Sequence, residues 1–173
     1  MTPLLDATWI WWAAGLGLVA VAAVAHLWFW TARLTHPLQY DSYERIATAD
    51  GSAFELRRIL PKNGEKPEIP VLIVHGLAAN HRNDDLDEEH SLARFLARSG
   101  RDVWLVTLRT GRSDRTLAEA RLANFTAMVR NDVPDAIAAV LARTAAPSLD
   151  YIGFSMGGML AYASFGNTVD AAT

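Results

Sequence analysis

In the run GFSMGG, residues 153–158, a serine stands between two glycines directly after an apolar stretch. A serine hydroxyl is a weak nucleophile unless a base takes its proton and donors hold the oxyanion formed on attack at a carbonyl. The G-x-S-x-G spacing of Gly153, Ser155 and Gly157 suits that chemistry. A strand that turns abruptly into a helix strains the serine backbone and crowds the positions two before and two after it, where glycine is needed. The Met156 amide would then lie at a helix N-terminus, where partial positive charge favours an oxyanion. A second piece lies far upstream in VHGLAAN, residues 74–80. There Gly76 would let the backbone approach a carbonyl, the Leu77 amide would be the second oxyanion donor, and His75 would support the turn. The competing reading is an ordinary turn serine in a dinucleotide-binding fold. That fold wants G-x-G-x-x-G after its first strand, and HGLAAN lacks it.

The nucleophile needs a base, yet all five histidines precede Ser155 and the only acid after it is Asp170. Asp170 comes too soon after the serine to serve as the partner of a base. His75 reads as part of the His-Gly turn. His81 and His90 lie in NHRNDDLDEEH, residues 80–90, with Asp84, Asp85 and Asp87. That stretch reads as a solvated acidic loop feeding a helix rather than as a metal site.

The elements that would position these groups alternate along the chain. Residues 43–61 give two β-rich runs around Asp50-Gly51, a hairpin, and residues 62–68 a charged turn. IPVLIVHG (69–76), DVWLVTL (102–108) and LDYIGF (149–154) are continuous apolar runs, the pattern of strands buried on both faces. Between them, 88–100 predicts a helix with acids in its first turn, an apolar face of Leu92, Phe95 and Leu96, and Gly100 at its C-terminal end. Residues 131–144 predict another, capped by Asn131 or Asp132, with Pro134 in the first turn and a stripe of Val133, Ile137, Val140 and Leu141. Residues 124–130 fit a preceding helical turn or two. A last helix opens after Ser155 and runs over 156–166. Such alternation predicts a parallel sheet with helices on both faces.

Residues 7–30 contain no Asp, Glu, Lys or Arg and carry tryptophans at both ends. As a helix they would span roughly 36 Å, against about 30 Å of bilayer hydrocarbon. Aromatic clusters at both ends fit interfacial anchoring. A cleaved signal peptide would want a basic segment before Trp9, where the only charged side chain is Asp6. The expected organisation is a transmembrane anchor over 1–30, a linker over 31–42 and a globular part over 43–173. Arg33 and Arg45 favour placing the globular part in the cytoplasm. His26 reads as an interfacial histidine. A net charge of −3 gives no case for nucleic acid, and the absence of cysteine excludes disulfides, thiolate metal sites and a cysteine nucleophile.

The stretches VLIVHGLAANHRN, SLARFLARSGRDVWLVTLRTGRS, NDVPDAIAAVLART and LDYIGFSMGGMLAYAS resemble the α/β-hydrolases. Residues 40–173 look like the N-terminal half of an esterase- or lipase-type member, near the membrane-associated lipases and the relatives of polyhydroxyalkanoate synthases. The resemblance implies an α/β fold with Ser155 as nucleophile, oxyanion amides from Leu77 and Met156, no cofactor, and a small-molecule or lipid ester as substrate. Those synthases use cysteine, so serine points to hydrolysis. Residues 107–111 depart from the relatives, which commonly carry an Asp and a further Gly there, and this bears on the loop's shape. The family order of Ser, then acid, then His implies that the chain stops before its triad acid and histidine and is inactive alone. The alternative is a non-catalytic, hydrolase-derived, membrane-tethered binding protein.

Overall fold

The computed structural model describes residues 8–62 and 69–167. The chain divides into two units, Met1–Pro37 and Leu38–Thr173. Most of the charged turn (63–68) and Asp170 lie outside the described residues.

In the first unit helix α1 runs over Thr8–Leu34. It is long and apolar enough to cross a bilayer, and none of its span is buried. His26 meets Trp30 edge-on, with ring centroids 6.1 Å apart.

The second unit is built on a five-stranded sheet. Strands β1 (Ser42–Ala47) and β2 (Ala53–Ile59) form an antiparallel hairpin. Gly51, at φ +84°, supplies the left-handed residue that the turn requires. Strands β3 (Val71–Val74), β4 (Val103–Thr107) and β5 (Asp150–Gly153) are parallel, and the sheet order is β1-β2-β4-β3-β5. β3 and β4 are wholly buried, as their apolar runs predict. β5 is not: it lies at the sheet edge, with Asp150 and Gly153 exposed and Tyr151 and Ile152 half-buried.

The connections supply helices α2 (Leu92–Arg98), α3 (Leu117–Arg121), a single turn α4 (Phe125–Ala127), a π-helical turn (Met128–Asp132), α5 (Val133–Thr144) and α6 (Met156–Ser164). One face of the sheet packs Leu72, Val74, Trp104 and Val106 against Val133, Ile137, Val140 and Leu160. The other packs Val71, Ile73, Val103 and Leu105 against Ala93 and Ala97 of α2. Helices therefore cover both faces.

Two helices differ from their sequence patterns. The first turn of α2 holds no acid; Ser91 caps it by accepting from the Arg94 amide. Its inward residues are Ala93, Arg94 and Ala97, whereas Leu92 and Phe95 are exposed. The preceding acidic loop is not uniformly solvated. Asp85 is fully buried and accepts from the Arg94 Nε at 2.8 Å and from the Ser91 hydroxyl at 2.7 Å. At α5, neither Asn131 nor Asp132 caps the helix. Asp132 has helical backbone angles and continues the π-helical turn into α5, because its carboxylate is engaged by Arg109.

Candidate active site

The β5–α6 junction holds Ser155 at φ +50°, ψ −112°, strained for a residue with a Cβ. Both neighbouring glycines are sterically required. A Cβ on Gly153 would fall 2.5 Å from the Gly158 nitrogen, and one on Gly157 would fall 2.2 Å from the Val74 carbonyl oxygen at the end of β3. The crowding at Gly157 thus comes from the adjacent strand and not only from the turn. The result is an exposed serine on a tight strand-to-helix elbow.

The upstream loop converges on the same place. A Cβ on Gly76 would lie 3.2 Å from the Ser155 Cβ and 3.1 Å from a Phe154 ring carbon. Leu77 follows Gly76 directly, and its side chain is exposed. Among the described residues, no backbone acceptor takes the Leu77 or Met156 amide. Unpaired amides beside an attacked carbonyl are the kind of donor that an oxyanion needs.

His75 is buried, with both ring nitrogens used. Nδ1–H donates to the Gly76 carbonyl at 2.8 Å, and Nε2 accepts from the Leu108 amide at 3.0 Å. The ring is a strut between the β4 loop and the Gly76 turn, with no lone pair left for a serine proton. Gly111 completes the fit, since a Cβ there would fall 2.5 Å from the Ala79 carbonyl and 2.9 Å from His75 Nε2. The loop after β4 thus packs tightly on the Gly76 turn.

His81 lies elsewhere: its Nδ1 is 2.9 Å from the Thr107 hydroxyl, and its ring meets Tyr40 edge-on. His90 pairs with Asp87 on the surface. No group of three or more potential metal ligands occurs among the described residues.

Burial, with Arg57 and Arg82 nearby, pushes the His81 imidazole down to about 3; burial also lowers His75. Both folded values lie below the unfolded value of about 6.5, so the unfolded chain binds these protons more readily. Their contribution is complete above pH 6.5 and is lost as pH falls toward the folded values. The urea midpoint of the chain is expected to fall between pH 7 and pH 4.5, each histidine contributing up to about 1.4 kcal/mol per pH unit. His81→Gln should flatten part of that slope. An unchanged slope in the variant would show that His81 protonates in place.

Beneath the site is a buried cluster that sequence patterns do not reveal. Arg109, fully buried, sends Nε to Asp132 Oδ1 at 2.8 Å, and its own amide donates to Asp132 Oδ2 at 3.0 Å. The same guanidinium reaches Asp50 in the hairpin turn and the Leu122 carbonyl. It holds Asp50 down at about 2, while burial raises the Asp132 carboxyl. In sequence, Arg109 looks like one arginine of a polar loop; the sole hint is its place directly after a buried strand.

An exposed serine on a strand–elbow–helix, set beside a glycine turn with two unused amides, defines a class of fold. The chain belongs to the alpha/beta hydrolase fold family, whose model matches residues 69–169. It is similar to lipase member M of Mus musculus, 31% identical over 140 residues that cover 72% of this chain and 32% of that one. It is also similar to human gastric triacylglycerol lipase, 31% identical over 138 residues, 72% of this chain and 34% of that one. The chain spans about a third of the length of these curated relatives. Among solved structures, brefeldin A esterase, a bacterial homologue of human hormone sensitive lipase, aligns with a TM-score of 0.55 at 20% identity, over 86% of this chain and 42% of that one. A cold-adapted esterase from an Arctic intertidal metagenomic library aligns with a TM-score of 0.56 at 14% identity, over 76% and 62% of the two chains.

Proposed function

We propose that this chain carries the nucleophile and oxyanion-stabilising part of a membrane-anchored serine hydrolase of carboxylic esters. The observation that carries this reading is the strained, exposed Ser155 packed against the Gly76 turn. The lipase relatives support an ester as the bond attacked. The Ser155 hydroxyl attacks the ester carbonyl, the Leu77 and Met156 amides hold the tetrahedral oxyanion, and water hydrolyses the acyl-enzyme. His75, Gly76, Gly153 and Gly157 shape the site. No cofactor enters this reading, and the partners are a small-molecule or lipid ester and the bilayer, not nucleic acid.

The base and its acid come, in this reading, from residues that follow these 173 in the complete enzyme. The occupied nitrogens of His75 and the remote seat of His81 support that assignment. Length and apolar character support α1 as the anchor within 1–30, with 31–42 as linker and 43–173 as the hydrolase part. Arg33 after the span supports a cytoplasmic globular part.

The test is the intact mass of the protein made by its own host, together with its turnover of a p-nitrophenyl ester. A species well above 19.0 kDa that hydrolyses the ester is the expected result. A 19.0 kDa species without turnover would remove catalysis and leave a tethered binding protein.

A further inference from the structure

Phe154 directly precedes Ser155 and belongs to the packing on neither face of the sheet. It is 55% exposed, yet its backbone is pinned. Its amide donates to the Val74 carbonyl at 2.9 Å, and its carbonyl accepts from the Gly157 amide at 2.8 Å. The ring therefore leaves a fixed point, and it leans on Gly76. Its Cδ1 lies 3.1 Å from where a side chain at Gly76 would begin, so the ring fills the space that the glycine leaves empty.

The Gly76 carbonyl and the Leu77 amide belong to one peptide group. His75 holds the carbonyl end at 2.8 Å, which polarises the peptide and strengthens its amide as a donor. One hydrogen bond does not fix the tilt of a peptide, and glycine has the most freedom to let it rock. The Phe154 ring, seated on the Gly76 Cα, removes that freedom.

We infer that Phe154 is a positioning residue whose ring clamps the Gly76–Leu77 peptide, aiming the Leu77 amide at the oxygen of the carbonyl that Ser155 attacks. The inference rests on the hydrolase reading, in which that amide is an oxyanion donor. An oxyanion exists only after attack, so the clamp acts on the transition state and not on substrate binding.

The test uses the protein as its own host makes it, with p-nitrophenyl acetate, whose short acyl group gives the ring little to bind. Phe154→Ala should lower kcat about 10- to 100-fold and leave KM within about twofold. Phe154→Tyr keeps the ring and should keep the rate. A raised KM at unchanged kcat would make Phe154 a substrate-binding residue and overturn the clamp, as would a Tyr variant as slow as the Ala variant. The seat of the ring is read separately from urea midpoints. Gly76→Ala should lower the midpoint less in the Phe154→Ala background than in the native one, because the new methyl no longer meets the ring. An equal drop in both backgrounds would overturn the clamp even in an active enzyme. Absence of ester turnover before any substitution would remove the hydrolase reading, and the inference with it.

Discussion

On the proposed hydrolase reading, Ser155→Ala should abolish ester turnover, with a loss of about 10⁶ in kcat, while the fold persists. Turnover unaffected by the substitution would remove Ser155 from the chemistry. What remains of the rate would come from binding and from the two amides, which the substitution does not touch. The same position makes a second, independent prediction about stability that needs only the 173-residue chain. A Cβ is strained at the Ser155 φ of +50°. Ser155→Ala keeps that strain; Ser155→Gly releases it. The glycine variant should therefore be more stable than the alanine variant by about 1 kcal/mol or more, read as a rise in urea midpoint. Two equally inactive proteins of different stability would show that the elbow stores strain to present the hydroxyl. Equal midpoints would show that the turn is relaxed and the serine incidental.

Arg109→Met should cost about 3–5 kcal/mol, because it leaves the Asp132 carboxylate buried without its partner. The deficit should shrink on acidification. Burial already raises the Asp132 carboxyl, and losing the guanidinium raises it further. A carboxyl whose folded pKa lies above its unfolded one takes up its proton more readily in the folded chain, so falling pH restores stability to the variant. The double variant Arg109→Met with Asp132→Leu should recover much of the loss, since an apolar pair can replace a buried ion pair. Failure of the double variant to recover would place the worth of Arg109 in its bonds to Asp50 and Leu122 instead. The cluster also bears on the site. Arg109 follows Leu108, whose amide holds His75, so a loosened loop would loosen the strut behind Gly76.

The strands were legible in the sequence because continuous β-branched runs have few other uses, and the hairpin because Asp50-Gly51 permits a tight reversal. The stripe of α5 was legible because Val133, Ile137 and Val140 recur at helical spacing and do face the core. The close approaches at Gly153 and Gly157 were legible from glycine spacing. Other features depend on partners distant in sequence. Asp132 has the type and position of a cap, and only the fold brings Arg109 to it. On α2, periodicity favours the large residues, yet the helix lies against the sheet with Ala93 and Ala97 inward. The open edge at β5 was legible from the element count, since three parallel strands and a hairpin leave the strand before Ser155 outermost; its partial exposure was not, because its apolar run reads as a buried strand.

The sheet order also sets a timetable. β1 and β2 pair across a short turn, whereas β5 must find β3 across more than half of the globular unit, with Val71 opposite Asp150. Closing so long a loop is entropically costly, and such pairings come late in folding. The elbow depends on that pairing, because Gly157 is seated against the last carbonyl of β3. Ser155 is therefore among the last groups to reach its place, and a chain only partly folded has no poised nucleophile to offer.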